Sequence, residues 1–296
     1  MRQPFSEGVK MYQDREGKKW WKGNLHAHTT KSDGKVSPKE AQRRYQEAGY
    51  DFLALTDHWY LSRSGHEKNM LLLSGIELDT MKNGCWHIVG IGLNRMPDAE
   101  RGQSAQELID AVREAGGFAI LAHPAWSLEQ PQDIAELEGL SGVEIYNSVS
   151  GFPYSSRADS SHVLDLAAKY GMRVPYIAAD DTHFYQDELF KSYIYVQAEE
   201  CSRKAILESI RAGRLYATQG PLIQKACIEG DRFVVECSPA EAVIFYSASV
   251  WQPDTVSRQP GITQAEFVLK PYDRFVRAQV IDKEGKSAWT SAYTVR

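Results

Sequence analysis

The chain has 296 residues, enough for one large domain or for a large and a small one. A net charge of -5 leaves no basic excess, which argues against a binder of nucleic-acid duplex or of membrane surface. Cys85, Cys201, Cys227 and Cys237 form no CxxC pair, so neither a thiolate zinc site nor a disulfide framework is expected, and free thiols fit a reducing cytosol. The leading MRQPFSEGVKMYQDREGKKWWKG lacks the apolar core of a signal peptide, and no apolar run approaches membrane-spanning length, so the expectation is a soluble cytoplasmic protein.

In chain order, Ser37-Pro38-Lys39-Glu40 supplies an N-cap, a proline at the first helical position and a capping-box glutamate, and Gly49 stops that helix. Apolar runs then predict strands at 52–56, 71–77 and 87–93, with Asn83-Gly84 as a hairpin turn between the last two. Ser104 with Glu107 starts a second helix, which Gly116-Gly117 ends. Strands follow at 118–123, 143–147, 174–181 and 193–196, with helices over 157–170 and 202–212. Strands alternating with helices imply a largely parallel sheet covered by helices, either open and doubly wound or closed as a barrel. After about Gly213 helical periodicity fades. Short strands at 225–229, 233–237, 242–246, 266–269, 275–282 and 291–295, with a hairpin turn at Asp282-Lys283-Glu284-Gly285, predict a small β-sandwich.

The histidines carry the chemistry. His26 and His28 form an HxH pair, and on a strand residues i and i+2 point to one side, so both imidazoles can reach one ion. Asp33 sits in the turn Ser32-Asp33-Gly34. Asp57-His58, Glu77, His123-Pro124 and Asp180-Asp181-Thr182-His183 each end an apolar run. Histidines and carboxylates thus recur where strand meets loop, the edge at which parallel α/β folds bind ligands. His87 begins its strand. The simplest hairpin register pairs it with Thr80, on the face opposite Glu77, so a bulge or a longer loop is needed if the two share an ion. His66, in a polar loop, and His162, on a helix with no acidic partner at an obvious spacing, read as ordinary histidines rather than ligands. Asp57 and Asp180, each beside a candidate ligand, read either as acceptors for imidazole N–H groups or as strand-end caps. Asn147 ends a strand on the same rim and is a candidate substrate contact. Lys31 and Arg157 are candidate anion contacts, with a solvated surface charge as the competing reading.

These residues resemble the motifs of the PHP (polymerase and histidinol phosphatase) family: HxH…DG, TDH, an internal Glu, HP and DxH. They stand here as His26, His28 and Asp33, then His58, Glu77, His123, and Asp181 with His183, over about residues 20 to 215. The resemblance implies a distorted (β/α)7 TIM-like barrel over residues 1–215, ahead of the β-sandwich-like domain at 216–296. It implies two or three divalent ions (zinc, manganese or iron) at the strand ends. His87-Ile88-Val89-Gly90 resembles the extra histidine of trinuclear members. The stretch Ile210-Arg211-Ala212-Gly213-Arg214-Leu215-Tyr216-Ala217-Thr218-Gln219-Gly220-Pro221 with its β-rich tail is similar to the CehA/McbA-like branch, which contains phosphoesterases and a few hydrolases of carbamates or amides.

Carried over, one ion takes His26, His28, Glu77 and Asp181, a second takes Glu77, His87 and His123, and a third takes Asp33, His58 and His183. Asp180 is the rival of Asp181, and DxH spacing favours Asp181. The carboxylate at Asp33, where some members have histidine, resembles the amidohydrolase-like and nucleotide-phosphatase branches rather than histidinol phosphatases. Glu77 and Asp181 are then the residues on which the reaction turns. The implied activity is hydrolysis of a small phosphate ester, nucleotides included, by a hydroxide shared between two ions roughly 3.5–4 Å apart. The same site serves a carbamate, amide or ester hydrolase, because a metal polarises C=O and P=O alike. A domain using its ions only for stability or binding is the third reading.

Overall fold

The computed structural model describes residues 12–13 and 18–295. Most of the N-terminal segment that lacks a signal core lies outside the described residues. The chain runs β1 (Tyr12–Gln13), β2 (Lys19–Asn24), α1 (Pro38–Glu47), β3 (Phe52–Ala54), β4 (Gly65–Glu67), β5 (Met70–Leu73), β6 (Gly75–Thr80) and β7 (Trp86–Ile91). It continues α2 (Ala105–Glu114), β8 (Phe118–Leu121), α3 (Pro131–Glu136), β9 (Leu140–Asn147), α4 (Ser161–Lys169) and β10 (Tyr176–Ala179). The architecture is mixed α/β and mostly sheet. Among the described residues no helix is long and apolar enough to cross a membrane.

The caps set the helix starts. At α2 the Ser104 Oγ accepts from the Glu107 N–H and the Glu107 carboxylate accepts from the Ser104 N–H, a complete capping box. At α1 only half of the box forms. Ser37 accepts from the Glu40 N–H, but the Glu40 carboxylate turns along the helix to Arg43 and Arg44, which offer charged donors. The helix predicted from residue 157 begins only at Ser161, because the Arg157 and Ser160 N–H groups are drawn to the carbonyls of Ser150 and Ile145.

Strands β2, β3 and β5 pair in parallel, as do β8, β9 and β10. Between them β7 runs antiparallel to both β6 and β8, so the parallel arrangement is interrupted by one reversed strand. The reversal falls at Asn83-Gly84, where both residues adopt positive φ, 60° and 141°. The loop is longer than the two residues of a tight hairpin, and its register pairs His87 with Asp79 rather than Thr80. Because side chains alternate along a strand, Asp79 and Glu77 share a face, and His87 meets Glu77 with no bulge. The two sheets touch at both edges: Ala27, just past β2, bridges Thr182, just past β10, and His58, past β3, bridges Glu77 in β6. Only Ser74 separates β5 from β6, so the strand path leads from β2 round to β10 and back.

Period-two alternation divides the core. On β7, Ile88 faces the cluster that includes Leu108, Ile109 and Val112 of α2, while Val89 and Ile91 face a second cluster with Phe52, Ile120 and Ile177 from other strands. That second cluster continues into α5 (Arg203–Arg211), which follows β11 (Tyr193–Ala198) and supplies Ile206, Leu207 and Ile210. Helix α5 covers the strand edge at which β8 begins, since Arg211 lies over Phe118, the first residue of β8. The opposite edge, where β3, β8 and β10 end, stays open.

Beyond α5 come β12 (Leu215–Thr218), β13 (Ile223–Glu229), β14 (Arg232–Ser247), β15 (Val256–Val268), β16 (Phe275–Ile281), β17 (Ser287–Trp289) and β18 (Tyr293–Thr294). The strands predicted at 233–237 and 242–246 are one strand, β14, whose register breaks between Glu236 and Ala242, around Pro239. Strand β15 is far longer than the predicted 266–269, because most of it is exposed and shows no apolar alternation. The turn at 282–285 forms as expected, with Asp282 accepting from the N–H groups of Glu284 and Lys286.

Candidate metal centre

The open edge gathers the candidate ligands. Past the end of β2 the chain is pinned on both sides of the Ala27 bridge: the His28 N–H donates to the Thr182 carbonyl, and the Asp181 N–H to the His26 carbonyl. His26 and His28 therefore flank one bridging residue and turn the same way, their Nε2 atoms 3.1 Å apart. Asp181 Oδ1 lies 3.1 and 3.2 Å from these two nitrogens, and Glu77 Oε2 lies 3.3 and 3.0 Å from them. All four residues are buried.

The other Glu77 oxygen, Oε1, lies 2.8 Å from His87 Nδ1 and 3.8 Å from His123 Nε2, so one carboxylate spans two groups of imidazoles. Toward solvent, His183 Nε2 is 3.4 Å and His58 Nε2 3.9 Å from Asp33 Oδ2, and His28 Nδ1 is 3.5 Å from Asp33 Oδ1. Every metal-ligand candidate named from sequence meets at this one place. His66 and His162 are exposed and stay outside it. The register of β6 with β7 removes the difficulty over His87.

Local backbone shape serves the convergence. His123 and Asp181 hold positive φ, 28° and 52°, which L residues adopt only when their surroundings insist on it. The Asp181 N–H bond to His26 and the His123 N–H bond to Glu144 Oε2, 2.9 Å, hold them there. Gly34 is obligatory for a different reason: a Cβ on it would lie 2.4 Å from the His28 carbonyl carbon. The turn that presents Asp33 thus packs directly on the backbone of a neighbouring candidate ligand.

Electrostatics follow from the crowding. Burial pushes Glu77 and Asp181 upward, but the charges of His26 and its neighbours outweigh it and hold both carboxyls well below their usual range. Burial pushes His87 and His183 downward; Glu77 with the Cys85 side chain overrides it at His87, and Asp181 with Asp33 at His183, raising them to about 10 and about 9. With protons alone available, the field of the carboxylates holds them on His87 and His183. A divalent cation satisfies the same field by displacing them.

The donor set fits such a cation. It is nitrogen and oxygen without thiolate, which suits zinc, manganese or iron. Asp181 Oδ1 and His58 Nδ1 are buried without a hydrogen-bond partner. His26 Nδ1 meets Glu144 Oε1 at 2.8 Å, which commits that nitrogen as donor and leaves the Nε2 lone pair facing inward.

The imidazole acceptor is therefore Glu144, which sequence reasoning missed; the available signal was a carboxylate inside the apolar stretch of β9. Asp57 and Asp180 serve as caps. Asp57 accepts from the N–H and hydroxyl groups of Thr29 and Ser32, fixing the turn that carries Asp33. Asp180 accepts from Tyr45 and from the N–H groups of Phe190, Lys191 and Ser192. Asn147 is fully buried rather than on the rim, and its amide donates to Glu144 and Asp181, 2.7 and 3.1 Å away. Lys31 is exposed with its ammonium 5.4 Å from the Tyr60 ring, and Arg157 is exposed. Neither lines the cavity of about 450 Å3 beside the ligands, whose walls are Ser32, Asp33, His58, Asp79, His87 and Arg101.

Fold and site together define a mixed α/β protein whose open strand edge gathers imidazoles and carboxylates into groups with ligand atoms within 4.8 Å of one another. In overall structure the chain is similar to a Bacteroides vulgatus two-domain protein containing a predicted PHP-like metal-dependent phosphoesterase. The TM-score is 0.56 and the identity 15%, covering 98% of each chain, so the likeness is one of fold. In sequence it is similar to an uncharacterised protein of Methanocaldococcus jannaschii, 29% identical over 147 residues, covering 43% of this chain and 82% of the relative. It is also similar to a 5'-3' exoribonuclease of Salmonella typhimurium, 36% identical over 95 residues, 28% of this chain. The chain spans about a third of that relative's length, 32%. No family model matches the chain.

Proposed function

We propose that the chain is a metal-dependent hydrolase, specifically a phosphoesterase acting on a small phosphate ester, with a PHP-type site of the CehA/McbA-like kind. The observation that carries this reading is Glu77, whose two oxygens serve separate groups of imidazoles, so that this one carboxylate could be shared between two ions. In this reading the path from β2 to β10 and back is the distorted (β/α)7 barrel of residues 1–215. Residues 216–296 are the smaller β domain, and the protein works in the cytoplasm.

His26, His28, Glu77 and Asp181 would hold one ion, Glu77, His87 and His123 a second, and Asp33, His58 and His183 a third. When bound, the ions supply Lewis acidity, polarising a phosphoryl oxygen and lowering the pKa of water. The protein's own side chains do the rest. Glu144 holds His26 in one tautomer, and Asn147 fixes the Asp181 carboxylate. Trp126 packs edge-on against His123 and His87, with ring centroids 4.9 and 5.9 Å away, and shields that side from water. The open wall at Asp33, His58 and Arg101 admits the substrate.

The test is release of nitrophenol from a phosphate monoester, a phosphate diester and an N-methylcarbamate by metal-loaded protein. Chelator-sensitive turnover of a phosphate ester, lost in Glu77→Gln, is the expected result. Turnover of the carbamate alone would replace the phosphoesterase reading with an amide and ester hydrolase.

A further inference from the structure

The cavity beside the candidate ligands has, besides His58 and His87, an arginine in its wall, Arg101, which sequence reasoning did not single out. Its side chain is 65% exposed, yet two contacts hold it. One guanidinium nitrogen donates to Asp79 Oδ2 at 3.0 Å, and the guanidinium carbon lies 4.8 Å from the Trp59 ring centroid. The same Asp79 accepts from Trp59 Nε1 at 2.7 Å through its other oxygen. One carboxylate thus anchors both the arginine and the ring beneath it. An exposed arginine ordinarily gives up considerable side-chain entropy when it binds a ligand. Here that ordering is largely in place, and a guanidinium has five N–H donors, of which Asp79 engages one.

We infer that Arg101 is the anion-binding arm of the site, receiving phosphoryl oxygens of the substrate, with Asp79 and Trp59 as its positioning residues. The inference rests on the phosphoesterase reading. Its chemical content is a fork of N–H donors in the wall of the same cavity as Asp33, His58 and His87, so that an oxyanion bound there would meet the donors beside the ion-holding residues. Lys31 and Arg157 lie outside that wall and do not take this role.

Metal-loaded wild type, Arg101→Met, Arg101→Lys and, as a surface-charge control on α5, Lys204→Met are titrated with inorganic phosphate by calorimetry. KM and kcat for 4-nitrophenyl phosphate are measured alongside. Arg101→Met should weaken phosphate binding about ten-fold or more, and raise KM more than it lowers kcat. Arg101→Lys should fall between, keeping the charge but losing the fork and the stacking. Lys204→Met should match wild type. Equal phosphate affinity in wild type and Arg101→Met overturns the arm and leaves the phosphoesterase reading standing. A wild-type protein that neither binds phosphate nor cleaves any phosphate ester removes that reading, and the arm falls with it.

Discussion

Glu144 shows how much of the site depends on a residue that would touch no ion. Its carboxylate accepts from His26 Nδ1, the His123 N–H and the Asn147 amide, three donors reaching it from three parts of the chain. A glutamine there would turn an NH2 toward one of those donors, leaving a buried clash and freeing His26 to take the wrong tautomer. Glu144→Gln should therefore lower metal affinity about 10- to 100-fold while the protein still folds. Competition with a metal-binding dye measures this, and wild-type affinity in the variant would refute the positioning role. The candidate ligands were legible as a group because histidines and carboxylates at the ends of apolar runs serve no packing purpose. Glu144 and Asp79 were not, because a carboxylate within a strand stretch gives no sign of which face it takes until the register is known. Arg101 was missed for a related reason: its place is fixed by Asp79 and Trp59, far off in sequence.

At the scale of elements, the sequence marks starts and stops better than lengths. Caps and glycines placed α1 and α2 and the apolar pattern placed α5, whereas α3, six residues long, carries too little periodicity to be read. Between elements, Glu129, in the turn before α3, accepts from the backbone N–H of Cys85 in the loop of the β6–β7 hairpin that delivers His87. It is buried, and its Oε2 approaches the position a Cβ on Gly84 would take, 3.2 Å away, while its Oε1 has no partner. Burial, reinforced by the charge of Asp133, pushes its carboxyl up to about 7 from the usual 4.5. The folded state thus holds a proton that the unfolded chain releases at lower pH. Its contribution to stability is fully present below about pH 4.5 and is lost as pH rises through 7. Glu129→Gln, which resembles the protonated acid, should match wild type near pH 4 and exceed it by about 2 kcal/mol near pH 8.5. Urea unfolding of both proteins at the two pH values decides it. A gap that does not grow with pH would place the ionised form of Glu129 in the folded protein.

For the whole molecule, the question is how the C-terminal strands are joined to the part that carries the site. The sequence marks a change of texture near residue 213 and so invites a picture of two separate units. The hydrogen-bond ladder runs across that boundary: β12 pairs with β11 on one side and β17 on the other, and β11 pairs with β2. Phe275, Trp289 and Ala292 share a core cluster with Leu164 and Ala168 of α4. At the seam, the fully buried Arg277 meets Asp165 of α4 through two bonds of 2.5 and 2.7 Å, with the Tyr246 ring 3.8 Å from the guanidinium carbon. Burying a guanidinium is tolerable only with its countercharge in place. Asp165→Asn should therefore cost about 3 kcal/mol or more, although it removes no packing volume. If the two parts are one cooperative unit, denaturant transitions followed by tryptophan fluorescence and by release of bound metal should coincide in wild type and shift together in Asp165→Asn. An early partial loss of fluorescence, from Trp251 and Trp289, at lower denaturant with metal still bound would mean that the seam is weak and that the C-terminal strands unfold by themselves.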